Sequence, residues 1–146
     1  DIAENPLQFA RRAGADRVIN ITEEAEALSP YSADKGSFDI LMECSGAQAA
    51  LAAGIAALRP RGVIVQLGLS GDMNLPMTQI TAKELELRGS FRFHEEFPVA
   101  VDLMSKGLID VKPLLTHTLP LASFMEAFDT ASDRSRAMKV QLDFSA

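Results

Sequence analysis

One cysteine, two histidines, one tyrosine and no tryptophan occur among the 146 residues. A single cysteine cannot close an internal disulfide, so the reducing cytoplasm is the expected setting. Cys44, His94 and His117 lie far apart in sequence and offer no zinc-ligand spacing. Basic residues are in deficit, 14 Lys and Arg against 20 Asp and Glu, leaving a net charge of −6. Nucleic acid is therefore not an expected partner, because phosphate binding needs clustered cations. No apolar run approaches the roughly 20 residues of a membrane-crossing helix, so no membrane association is expected, nor is a signal peptide. G-x-S-x-G, H-E-x-x-H and P-loop motifs are all missing. Internal repeats and low-complexity stretches are missing too. What is present is 47% hydrophobic residues, enough for a real core in about one domain.

Two apolar runs organise the chain. Ser37-Phe38-Asp39-Ile40-Leu41-Met42-Glu43-Cys44-Ser45-Gly46 and Gly62-Val63-Ile64-Val65-Gln66-Leu67-Gly68 each stop at small residues. Between them, Ala47, Ala50, Leu51, Gly54, Ile55 and Leu58 repeat at helical spacing. Strand, helix, strand is a βαβ unit, whose parallel strands are expected to be buried on both faces. Ligands of open parallel sheets sit beyond the carboxyl ends of the strands. Those ends are Cys44-Ser45-Gly46 and Leu67-Gly68-Leu69. Glycine at such an edge lets a ligand approach the backbone. The fold expected is therefore α/β, with a nucleotide- or cofactor-binding layer.

Other elements follow from local signals. Asn5-Pro6-Leu7-Gln8 reads as a capped helix start, with Gly14 ending the helix. Val18-Ile19-Asn20 reads as a short strand, and Thr22 as the cap of a helix over 23–28. Residues 29–37 and 70–74 read as loops. Leu75-Pro76-Met77 reads as a brief extended piece confined to a sheet edge by its proline. A helical turn is expected over 78–83. Residues 84–93 alternate, with Leu85, Leu87, Gly89, Phe91 and Phe93 on one side, as in a strand. A helix from Phe97-Pro98 to Lys106 precedes an extended, proline-punctuated stretch over 110–119. Ser123-Phe124-Met125-Glu126 has the form of a capping box, and 137–144 of a closing strand.

Taken in order, these segments resemble a known family. They are Gly14-Ala15-Asp16-Arg17-Val18-Ile19-Asn20, Glu43-Cys44-Ser45-Gly46-Ala47, and Arg61-Gly62-Val63-Ile64-Val65-Gln66-Leu67-Gly68. Next come Lys83-Glu84-Leu85-Glu86-Leu87-Arg88-Gly89-Ser90-Phe91-Arg92-Phe93, Asp110-Val111-Lys112-Pro113-Leu114-Leu115-Thr116-His117 and Lys139-Val140-Gln141-Leu142. The chain is similar to the C-terminal part of a zinc-dependent medium-chain dehydrogenase, in the sorbitol and L-idonate 5-dehydrogenase branch. It opens at Asp1 in mid-motif, which is the expectation for part of something longer.

The resemblance implies an incomplete Rossmann-like, doubly wound parallel sheet over 1–107. Residues 108–146 would form a segment returning toward the catalytic domain. The first strands, the Gly-rich phosphate loop, the zinc ligands and the proton relay are implied to lie outside this stretch. No catalytic residue and no metal ligand is therefore expected in it. With strand order 3-2-1-4-5-6, a gap is expected between 18–20 and 38–44. NAD is the implied cofactor, with zinc in the full-length protein but not bound by this chain. A polyol or sugar acid is the implied substrate, and a homodimer or homotetramer the implied assembly.

Residue by residue, Asp1 resembles the acid that takes the adenosine ribose hydroxyls and favours NAD over NADP; otherwise it is a terminal residue. Ser45 and Gly46 match a stretch bordering the adenosine-side ribose and nicotinamide. Leu67, Gly68 and Leu69 match a stretch whose backbone meets the carboxamide. Phe91 and Arg92 match the strand end that closes over the nicotinamide. Arg92 is also the substrate candidate, since its planar fork suits a carboxylate. Cys44 is expected to be a buried core thiol. Glu43 reads either as an acid supporting the site or as a structural hydrogen-bond acceptor. His94 and His117 read as loop or surface residues. The alternatives are a zinc-free medium-chain reductase, a non-catalytic dimerisation module, or another doubly wound binder such as a methyltransferase.

Overall fold

The computed structural model describes residues 1–145. Its helices are α1 (Glu4–Arg12), α2 (Ser29–Ser32), α3 (Gln48–Ala57), α4 (Met77–Ala82), α5 (Glu96–Ser105) and α6 (Phe124–Ser132). Its strands are β1 (Phe38–Glu43), β2 (Leu58–Gln66), β3 (Glu86–Gly89), β4 (Leu115–Pro120) and β5 (Lys139–Asp143). Two compact units form: Glu26–Phe93, and Asp1–Ala25 together with the stretch from His94 onward.

The unit Glu26–Phe93 carries a parallel sheet in the order β1-β2-β3. Ile40 pairs with Val63, Glu43 with Gln66, and Gln66 in turn with Gly89. Its core is Leu51 and Ile55 of α3 with Leu58 and Ile64 of β2, against which Leu41, Met73, Ile80 and Leu85 pack. Each such side chain, fully buried, stabilises by about 1.5–3 kcal/mol. Gly54 lets α3 approach β1, because a Cβ there would stand 2.6 Å from a Leu41 methyl. Both α3 and α4 contribute to this one core, so only one sheet face is covered within the unit. Ile40 and Met42, on the other face, are 59% and 64% exposed. The expectation of burial on both faces is corrected to that extent.

Lys83 closes α3. Its ammonium donates to the carbonyls of Ile55, Ala56 and Leu58 at 3.1, 2.8 and 2.7 Å. A cation on the last carbonyls of a helix satisfies orphan acceptors and opposes the negative end of the dipole. Burial nevertheless pushes the Lys83 pKa down.

In the other unit, β4 and β5 are parallel and joined through α6, which packs on β5. Their register slips between Leu115 and His117. Thr116 Oγ1 bridges the slip, donating to the Lys139 carbonyl at 3.1 Å and accepting the Met138 N–H at 3.2 Å. Asp1 begins this unit. Its amino group donates to the Ile19 carbonyl at 3.0 Å, and the Ile21 N–H donates to the Asp1 carbonyl at 3.1 Å. Those two bonds are one step of a parallel ladder.

Several local expectations change. Asn5 does not cap α1: it lies inside the helix and donates to the Ser135 carbonyl at 2.7 Å, while Asp1 Oδ1 accepts the Ala3 N–H at 2.9 Å. Residues 18–20 form no regular strand, having only the single ladder step to Asp1. Thr22 caps no helix. Instead Asn20 gathers the N–H groups of Thr22, Glu23 and Glu24 into turns, and the helix comes later, at α2. Leu75-Pro76 is not a strand, and Met77 already opens α4. The 84–93 strand shortens to β3, since β2 offers no partner beyond Gln66. Around Pro113 a 3-10 turn (Lys112–Leu114) precedes β4, and Ser123 makes no side-chain cap on α6.

Replacing Lys83 with Met in the full-length protein should lower stability by about 1–3 kcal/mol, the cost of lost charge-assisted bonds. The urea midpoint measures it. Lys83→Arg should lose less than Lys83→Met.

Candidate functional site

β1 and β2 end side by side, and each ends in a glycine turn. The bond between the two turns is made by Glu43. Its side chain is 3% exposed. The carboxylate accepts the Ser45 N–H at 2.9 Å, the Ser45 hydroxyl, the Gly46 N–H at 2.9 Å and the Gln66 amide at 2.6 Å. The Glu43 carbonyl accepts the Leu67 and Gly68 N–H groups at 2.8 and 2.9 Å. Gln66 also reaches the Gly68 carbonyl at 3.0 Å, and the Ser70 hydroxyl bonds the Gly46 carbonyl. One acid thus holds both turns, with donors from each.

Glycine is required on both sides. Gly46 has φ +69°, in the left-handed region. A Cβ on Gly68 would lie 2.1 Å from the Gly46 nitrogen and 2.6 Å from the Glu43 carboxylate. The turns therefore touch backbone to backbone.

Burial alone would raise the Glu43 pKa. The bonds from the Ser45 hydroxyl, the Gly46 and Ser45 N–H groups and Gln66 outweigh it, and the value falls below the ordinary glutamate range. Glu43 is thus a charged hydrogen-bond acceptor, and the turns it bonds are those of the candidate site.

Ser45, Gly46, Leu67, Gly68 and Leu69 come together at this carboxyl edge. Leu67 and Leu69 are exposed, while Gly46 and Gly68 are buried. Phe91 and Arg92 follow β3 at the same edge, tied in by the Ser90 N–H on the Gln66 carbonyl at 2.9 Å. Arg92 does not continue a strand. Its φ is +58°, and its guanidinium sits 4.9 Å above the Phe91 ring, a cation–π contact. Asp1 belongs to the other unit, where Oδ1 also accepts the Ile2 N–H at 2.6 Å. Cys44 is exposed, which corrects its reading as a core thiol. It stands past the strand end, one residue beyond the inward-facing Glu43. His117 Nδ1 meets Thr116 Oγ1 at 3.0 Å, and the His94 N–H donates to Glu96 at 3.0 Å. Among the described residues, no group of three or more His, Cys, Asp or Glu could hold a metal. This set of residues does not fit a zinc ion.

Sequence reasoning missed Gln66. The signal was there: it is the one amide in the run 62–68 and pairs in register with Glu43. An acid inside an apolar strand needs donors, and Ser45, Gly46 and Gln66 are the nearest supply.

Comparison with known proteins gives a consistent result. The family model described as zinc-binding dehydrogenase matches residues 1–106. L-idonate 5-dehydrogenase (NAD(P)(+)) of Escherichia coli K12 is 37% identical over 145 residues, covering 99% of this chain and 42% of that protein. Sorbitol dehydrogenase of Gallus gallus is 36% identical over 146 residues, covering 97% and 41%. The crystal structure of the Escherichia coli L-idonate 5-dehydrogenase superposes with a TM-score of 0.92 over 99% of this chain and 41% of that one. The chain spans about two fifths of the length of these relatives.

Because the folded Glu43 pKa is depressed, its contribution to stability is full above the unfolded value, near 4.3, and is lost as pH falls through the folded value. Urea midpoints of the full-length protein should drop below about pH 4.3. Glu43→Gln should already be weaker at neutral pH, by about 1–3 kcal/mol. The gap between wild type and variant should narrow on acidification. A constant gap would contradict the charge assignment.

Proposed function

Since this chain belongs to the zinc-binding dehydrogenase family, we propose that it is the cofactor-binding portion of an NAD-dependent polyol or sugar-acid dehydrogenase. The observation that carries the reading is the pair of glycine turns at the carboxyl edge of a parallel sheet. That is where open α/β sheets take their ligands. The family match sets the methyltransferase reading aside. We propose 1–107 as the cofactor domain and 108–146 as the returning segment.

Ser45, Gly46, Leu67, Gly68, Leu69, Phe91 and Arg92 would border the nicotinamide half of NAD, and Asp1 the adenosine ribose. The Leu67 and Gly68 N–H groups are engaged by Glu43, so the carboxamide would meet the Leu67 carbonyl and the backbone of Leu69. The Ser45 hydroxyl is likewise engaged, donating to Glu43 and accepting the Ala47 N–H at 3.0 Å. It would supply a small neighbour to a ribose rather than a free donor. When bound, the nicotinamide supplies a hydride acceptor at C4. Zinc, where the full-length protein holds it, would be held outside these residues. A homodimer or homotetramer is the proposed assembly, with exposed Leu75 and Met77 as contact residues. The cytoplasm is the proposed location; no helix among the described residues is long and apolar enough to cross a membrane.

Arg92 separates substrates. If it grips the carboxylate of a sugar acid, Arg92→Ala in the full-length enzyme should cost about tenfold to a hundredfold in kcat/KM toward the acid. Loss toward a neutral polyol should be clearly smaller, and Arg92→Lys should not fully restore the acid. Equal losses on both substrates would assign Arg92 to the cofactor instead.

Asp1 sets the coenzyme. The Escherichia coli relative carries both NAD and NADP in its name, so the comparison is informative. The full-length enzyme should have the higher kcat/KM with NAD, because a carboxylate repels a 2′-phosphate. Preference for NADP would remove Asp1 from the ribose.

A further inference from the structure

We infer that Glu43 is a positioning residue for the cofactor: one buried carboxylate sets the spacing of the Ser45-Gly46 and Leu67-Gly68-Leu69 turns. The inference rests on the proposed cofactor site but adds a residue and a role to it. Glu43 itself is covered, so it would not touch the ligand. It acts through backbone. Its side chain gathers the first turn by the Ser45 and Gly46 N–H groups, and its own carbonyl gathers the second by the Leu67 and Gly68 N–H groups. Gln66 ties the two sets together, since its amide reaches both the Glu43 carboxylate and the Gly68 carbonyl.

The arrangement tolerates little movement. With Gly68 pressed against Gly46, any separation of the turns must break bonds to Glu43, to its carboxylate on one side or to its carbonyl on the other, or the Gln66 bridge between the carboxylate and the Gly68 carbonyl. A neutral amide cannot replace that acid. The groups facing it are N–H and O–H donors, and the NH₂ of a glutamine would point at one of them. An aspartate keeps the charge and four acceptor sites but is one methylene shorter, so it should partly restore the contacts.

Hydrogen exchange and NAD titration on the full-length protein test this. In wild type, NAD should slow exchange at the amides of Ser45, Gly46 and Leu69. If it does not, the cofactor site is misplaced and the inference falls with it, whatever Glu43 does. In Glu43→Gln, exchange at Ser45 and Gly46 should quicken about tenfold or more without NAD, for the loss of one charge-assisted bond. The Kd for NAD should rise about tenfold, with Glu43→Asp intermediate in both measurements. Gln66→Ala, which leaves the carboxylate in place, should loosen Gly68 and weaken NAD in the same direction. It serves also if Glu43→Gln does not fold. Unchanged turn exchange and unchanged NAD affinity in these variants, with wild-type protection intact, would overturn the positioning role alone.

Discussion

A carboxylate buried at the end of a strand must be hydrogen-bonded or neutral. Glu43 is bonded by three backbone or side-chain donors of its own turn and by one from the neighbouring strand. Those bonds outweigh desolvation and keep the acid charged. The parallel register of β1 and β2 makes this possible, because it pairs Glu43 with Gln66. Both strands then end at one level, and both chains leave the sheet through glycine. The carboxyl edge that would receive a ligand is therefore built from the inside, by a residue that the ligand would not meet.

The rest of the unit supports that edge. Leu51, Ile55, Leu58 and Ile64 fix α3 against β2. Gly54 brings the helix close to β1, and Lys83 terminates it by collecting three carbonyls. These devices are of different kinds, a dry core, a missing side chain and a cation. They act on one helix, which starts two residues after the Gly46 turn.

Much of this was legible in the sequence. The βαβ unit followed from two apolar runs around a helical stripe, and the edge from where those runs stop. The parallel order β1-β2-β3 agrees with the last three strands of a doubly wound sheet. What escaped was set by partners that local patterns do not encode. The 84–93 alternation predicts a strand of ten residues, but Glu84 turns left-handed at its start and β2 offers no partner beyond Gln66 at its end. Phe91 and Arg92 therefore leave the ladder, and Arg92 turns left-handed onto Phe91. Ser123 and Asn5 have the right identities for caps, yet Asn5 is drawn to the distant Ser135 carbonyl. Cys44 lies in an apolar run, but one step past β1 is already outside. Glu43 shows the converse. Its type was plain, and its role depended on a register 23 residues away.

The central claim is that the turns joined by Glu43 receive the nicotinamide half of the cofactor. The most direct measurement is a crystal structure of the full-length protein with NAD bound. The account predicts the nicotinamide ring and its ribose against Ser45-Gly46 and Leu67-Gly68-Leu69, with the Glu43 bonds unchanged. NAD bound elsewhere, with these turns facing solvent, would contradict it.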